Sequence, residues 1–150
     1  MKELLYLCII DFVLKSGVMF LAQYYHLNVY KKSFDFLVEL TRQTVHFQRD
    51  FRYTLGEKLN DSAIEFIVRI YKANSAQNLM ERADFIKDML ERLQYINVVL
   101  RLSCELKNMS KDKYIGLASM TQDIEKQLNG WLSHSSKNAA DVQVYENSKQ

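Results

Sequence analysis

Residues 79–106 read LMERADFIKDMLERLQYINVVLRLSCEL, and this run decides the fold. Leu79, Ala83, Ile86, Leu90, Leu93, Asn97, Leu100 and Cys104 recur at intervals of three and four. That is the spacing of one face of an α-helix, whereas a half-buried strand would alternate every second residue. A second stripe of Met89, Ile96, Val99, Leu102 and Leu106 widens the apolar face. The helix therefore reads as buried on more than one side.

The same pattern extends in both directions. After the run, Asn108-Met109-Ser110 forms a turn in which Ser110 is placed to cap a following helix. That helix spans about Lys111 to Leu132 through Tyr114, Leu117, Ala118, Thr121, Ile124, Leu128 and Trp131. Before the run, Asn74 to Asn78 is a loop signal. A helix ending near Asn74 carries Leu59, Ala63, Ile64, Phe66, Ile67, Ile70 and Tyr71. It opens at Thr54-Leu55-Gly56-Glu57, a capping-box sequence in which hydroxyl and carboxylate each satisfy the other's backbone amide. Gln48 to Tyr53 reads as a polar and aromatic connection, preceded by a first helix from about Tyr30 to Phe47 with Tyr30, Phe34, Leu37, Thr41 and Val45 on one face.

Composition agrees. The 150 residues contain no proline and four glycines, so nothing interrupts helices and few turns are provided for. The fold class is all-α. Short connections force neighbouring helices to run opposite ways, which predicts an antiparallel up-down-up-down four-helix bundle over residues 29–133. The broad apolar stripes on the second and third helices exceed one bundle core and predict a second buried face.

Two segments flank that domain. Residues 1–28 are apolar and aromatic, with Lys2, Asp11 and Lys15 breaking the run. They have neither a clean A-x-A-like cleavage signal nor the roughly 18 uninterrupted apolar residues of a membrane span. An extra helix, an extension, translation from upstream of a start near Met19, and membrane association are all compatible with this composition. Residues 134–150 are polar and aperiodic, and read as a disordered tail.

The chemistry-bearing residues are sparse. Cys8 and Cys104 form neither a disulfide framework nor a metal spacing, and nothing calls for an oxidising compartment, so a cytoplasmic location is expected. The positions three before His26, His46 and His134 hold Gln23, Gln43 and Trp131, not the carboxylate of a di-iron bundle. Glycine-rich phosphate loops are absent, and Asp50 near His46 makes no recognisable acid–base constellation. No catalytic site, metal or cofactor is expected.

The basic residues remain. Arg49 and Arg52 flank the first connection, Lys58, Arg69 and Lys72 share one side of the second helix, and Arg101 and Lys107 mark the later part of the third. Cations held on rigid helices contact phosphates without reading sequence. The competing reading is a solvated surface in which Glu57, Asp61 and Glu65 neutralise them, and the net charge of only +2 fits it well.

Four stretches carry a family resemblance: Tyr30-Lys31-Lys32-Ser33-Phe34-Asp35-Phe36-Leu37, Phe51 to Leu59, Ile70-Tyr71-Lys72-Ala73-Asn74, and Leu128-Asn129-Gly130-Trp131-Leu132. In order and placement they resemble the accessory variability determinant family of diversity-generating retroelements. A near neighbour is the group of four-helix proteins encoded in intervening sequences of 23S ribosomal RNA genes, which usually carry a proline in or near the second helix that this chain lacks. The resemblance implies a homopentameric barrel without catalysis of its own. It further implies a basic surface that binds the element's reverse transcriptase and template RNA or cDNA during mutagenic cDNA synthesis. The seven basic residues named above are the candidates for that surface on the facing argument alone.

Overall fold

The computed structural model describes the backbone of residues 27–147 and the side chains of residues 27–135. The expectations for residues 1–26, Cys8 and His26 among them, lie outside the described residues, as do those for the side chains beyond Ser135. Four long helices make up the described part: α1 (Asn28–Thr44), α2 (Glu57–Ser75), α3 (Leu79–Glu105) and α4 (Lys111–Asn147). A single α-turn at Arg49–Phe51 and a π-helical turn at Arg52–Gly56 lead into α2. No strand occurs among the described residues.

Each helix touches two others: α1 packs on α2 and α4, and α3 packs on α2 and α4. One core fills the space between them. Leu40, Leu59, Ile70, Ile86, Leu93, Leu100, Ile124 and Leu128 are fully buried within it. Burying each such side chain contributes roughly 1.5–3 kcal/mol before chain entropy is counted. In α3 the buried positions Ile86, Met89, Leu93, Ile96, Leu100 and Ser103 alternate steps of three and four. That seven-residue repeat keeps one seam facing its neighbours along a bundle helix. A polar contact joins α3 and α4, where the Thr121 hydroxyl donates to Asn97 Oδ1 at 2.7 Å.

The helix ends explain where sequence pattern and structure part. Thr54 forms no capping box: its hydroxyl donates back to the Asp50 carbonyl at 2.9 Å, from inside the π-helical turn. Helix therefore resumes at Arg49, and the connection after α1 is shorter than the polar composition of residues 48–53 implies. Gly56 lies buried against α1, where an added Cβ would stand 3.4 Å from the Thr44 Cβ and 3.7 Å from the Phe47 ring. Just above it, Asn60 ties the two helices by donating to the Thr44 hydroxyl at 2.9 Å and accepting from Thr41 at 3.1 Å.

The cap that residues 74–78 do form belongs to α3. Asn78 Oδ1 accepts from the Glu81 amide at 2.8 Å, and the Glu81 carboxylate accepts from the Gln77 amide at 3.1 Å. Ser110 caps α4 as expected, accepting from the Lys113 amide at 3.3 Å. Helix α4 then continues past Leu132 to Asn147.

Candidate nucleic-acid interface

The seven basic residues fall into two groups. Arg49, Arg52 and Lys58 belong to the entry into α2, and Arg101 and Lys107 to the last turns of α3. A side-chain clip joins these two regions: the Gln48 amide donates to Asn108 Oδ1 at 3.1 Å, linking the α1–α2 connection to the α3–α4 turn. Arg49 follows Gln48 and Lys107 precedes Asn108, so one hydrogen bond brings the two cation-bearing loops together. Lys111, at the start of α4, joins them in space, although in the sequence it marks only a helix start.

Arg69 and Lys72 lie apart, nearer the α2–α3 loop. The Arg69 guanidinium is three-quarters buried and ion-paired with both Asp88 and Glu65, the latter at 3.5 Å. Arg92 meets the same Glu65 at 2.6 Å. Arg69 is thus committed to a four-charge strut between α2 and α3. Lys72 lies near it, in a groove that also holds Glu81, Asp84 and Asp88.

Several other cations of the helical shaft are paired as well, whereas Lys31 and Lys72 are exposed and make no ion pair among the described residues. Lys32 pairs with Asp123 at 3.3 Å, Arg42 and Lys113 with Glu39 at 3.8 Å each, and Lys126 with Asp123 at 3.7 Å. By contrast, Arg49, Lys107 and Lys111 are exposed and have no ion pair among the described residues. Arg52 is held differently, donating through Nη2 to the Phe47 carbonyl at 3.2 Å just beyond α1. Acidic Asp50, Glu57, Glu105 and Asp112 share this end, so its distinction is unpaired cations, not an excess of basic residues.

The α3–α4 turn has its own geometry. Asn108 N–H donates to the Ser103 carbonyl at 2.9 Å and Lys107 N–H to that of Cys104 at 2.9 Å. These two bonds are the Schellman arrangement that ends a helix through one left-handed residue. Glycine normally fills that place, but here Lys107 does, at φ +58°. Periodicity gives no warning of this, because a lysine after the last apolar residue of a helix reads as ordinary dipole compensation.

The surface also carries apolar side chains. Phe34 and Val38 on α1, Val45 just after it, and Ile64 and Val68 on α2 are between 36% and 51% exposed. Tyr95, Val98 and Leu102 make a separate exposed stripe on α3, with Val98 at 66%. Leu102 and Leu106, whose spacing predicts a widened buried face, are among the exposed residues of this chain.

Among the described residues, no group of three His, Cys, Asp or Glu side chains is arranged to hold a metal ion, and no helix is long and apolar enough to cross a membrane. No protein-family model matches the chain, and no curated protein matches it in sequence.

Proposed function

We propose that this chain is a non-catalytic accessory subunit of a diversity-generating retroelement. In this reading it acts in the cytoplasm, binding the element's reverse transcriptase and its template RNA or cDNA and supporting the mutagenic cDNA synthesis that precedes retrohoming. The observation that carries the reading is the loop end: five of the seven candidate cations lie there, and Arg49 and Lys107 are left unpaired while Arg69 is neutralised. A polyanion gains most where cations are not already occupied by carboxylates.

The bundle is taken to be up-down-up-down. The pairs Glu65–Arg92 and Arg69–Asp88, in which numbering rises on α2 as it falls on α3, support that topology. A homopentamer is part of the same proposal. The α1–α2 flank (Phe34, Val38, Val45, Ile64, Val68) and the α3 stripe (Tyr95, Val98, Leu102) are different surfaces. Two unlike apolar surfaces suit a head-to-tail contact that closes into a ring.

Those same stripes favour a second reading, a structural oligomerising four-helix protein of the ribosomal intervening-sequence type with no polymerase partner. The test is a pull-down of the purified chain with the reverse transcriptase encoded nearest to it, with and without template RNA, accompanied by native mass measurement. Retention of polymerase by an oligomer, abolished on charge reversal of Arg49 and Lys107, supports the accessory reading. A stable oligomer that ignores polymerase and RNA leaves the second reading standing and removes the first.

A further inference from the structure

The π-helical turn before α2 carries an aromatic side chain that packing does not use. Tyr53 is 65% exposed, more than any other aromatic residue among the described ones, and it makes no hydrogen bond or ring contact. Single exposed apolar residues are ordinary on protein surfaces, so exposure alone assigns nothing. Three further observations bear on this ring.

The first is the backbone beneath it. Helical turns with i→i+5 bonding are rare and often mark functional sites. Here the Glu57 amide donates to the Arg52 carbonyl across the turn. The Thr54 hydroxyl holds the Asp50 carbonyl at 2.9 Å, and Gly56 is pressed against α1. Tyr53 therefore projects from a fixed turn and not from a loose loop. A tyrosine also has only two side-chain torsions to order on contact.

The second observation is charge. Arg52 immediately precedes the tyrosine and Arg49 stands one helical turn earlier; both are exposed and without an ion pair among the described residues. Arg52 is held only by the Phe47 carbonyl, at 3.2 Å. A guanidinium so placed suits phosphate, which it meets through two parallel hydrogen bonds. Asp50 and Glu57 lie within a turn of Tyr53 as well, so cations are not in excess here. Charge alone then attracts a strand weakly, whereas stacking between ring and base adds affinity that salt does not screen.

The third is the contrast with Tyr95, 45% exposed on α3 and likewise without a hydrogen bond. In the hollow beside Tyr95, Asp61, Glu65, Asp88 and Glu91 outnumber Lys58 and Arg92, and Arg92 is already paired with Glu65. A polyanion is repelled from that ring. Of the two tyrosines, only Tyr53 has unpaired arginines beside it.

We propose that Tyr53 stacks on a base of a single-stranded nucleic acid whose phosphates are met by Arg49 and Arg52. A base offers its face to a side chain only where the strand is unpaired, so the arrangement selects single strands over duplexes and does so without reading sequence. The assignment rests on the accessory reading and narrows its partner from nucleic acid in general to a strand with splayed bases.

The experiment compares binding of the full-length chain to a short single-stranded RNA of mixed sequence, the same RNA in duplex form, and an abasic strand of equal length, all at one ionic strength. The single strand should bind about tenfold more tightly than the abasic strand, within the range that one stacked base contributes. Tyr53→Leu should abolish that preference by weakening RNA binding about tenfold. Its affinity for the abasic strand, its salt slope and its denaturation midpoint should match those of the unaltered chain, which separates lost stacking from lost fold. Tyr53→Trp should keep the preference, and Tyr95→Leu should leave it untouched. Equal affinity for RNA and abasic strand, or a preference that survives Tyr53→Leu, would overturn the stacking and leave the accessory reading standing. No binding to any of the strands would overturn the stacking together with the nucleic-acid part of that reading.

Discussion

The helical shaft and the loop end use charge in opposite ways. Along the shaft, most cations are matched, several of them across helices, as in Lys32–Asp123, Lys113–Glu39 and the Glu65 carboxylate shared by Arg69 and Arg92, with Lys31 and Lys72 the exceptions. At the end built from the α1–α2 connection and the α3–α4 turn, Arg49, Lys107 and Lys111 have no such match among the described residues. Surface ion pairs contribute only about 0–1 kcal/mol each, so matching the shaft adds little stability. Its larger effect is on the field. A polyanion approaching the shaft meets mostly charges already answered, whereas at the loop end it meets a group of charges that are not.

If the shaft is where stability resides, damage there should be the most costly. Leu93→Ala, at a side chain 1% exposed in the α3 seam, should lower unfolding free energy by about 3 kcal/mol through reduced burial and a residual cavity. Denaturant titration measures this. The affinity of the remaining folded protein for single-stranded RNA should be unchanged, and a parallel fall in both quantities would mean that the two regions are not separable.

The converse experiment damages the end. Arg49→Gln combined with Lys111→Gln should leave the denaturation midpoint in place, since both side chains are exposed and neither makes an ion pair among the described residues. RNA affinity should drop by roughly tenfold. The slope of log affinity against log salt should become shallower by about 1.4, since each single-strand phosphate that is no longer neutralised takes away about 0.7. An unchanged slope would place the nucleic-acid surface elsewhere on the chain.

Next in size is a variant that sorts a residue between the two regions. Arg69→Gln removes the centre of the α2–α3 strut, leaving Asp88 without the partner shown here and Glu65 with Arg92 alone. Both carboxylates remain about half exposed, so the loss should be limited to about 1 kcal/mol of stability. RNA affinity and its salt slope should not move. A slope that falls with Arg69→Gln would return this arginine to the binding surface that its helix face indicates.

That ambiguity shows what one-dimensional reading can reach. The four helices are legible because burial repeats at the helical period, and residues such as Leu93 and Ile124 fall inside wherever the bundle is drawn. The basis of the site was less legible. Helix-face spacing puts Lys58, Arg69 and Lys72 on one side of α2, but it cannot see that Asp88 and Arg92 of the next helix reach the same side. The Gln48–Asn108 clip joins residues 60 apart in sequence, and no local pattern announces it. The capping box at Thr54 failed for a related reason. Its residues suit a helix start, but helix had already begun at Arg49, and the threonine hydroxyl donates to the Asp50 carbonyl behind it.

The smallest expected effect has the opposite sign and bears most directly on the contrast. Lys107 ends α3 in the left-handed region, which costs a residue with a Cβ roughly 1–2 kcal/mol and costs glycine little. Glycine's greater freedom in the unfolded chain takes back part of that gain. Lys107→Gly should therefore raise stability by about 0.5–1 kcal/mol, seen as a higher denaturant midpoint with an unchanged slope. The Schellman hydrogen bonds at Ser103 and Cys104 need only backbone and should persist. A stabler protein that binds RNA less well would show this turn giving up stability for a cation at the loop end, as functional sites often do. If Lys107→Gly is neutral or destabilising, the lysine is there for the fold, and the loop end loses one of the three unpaired charges on which its difference from the shaft depends.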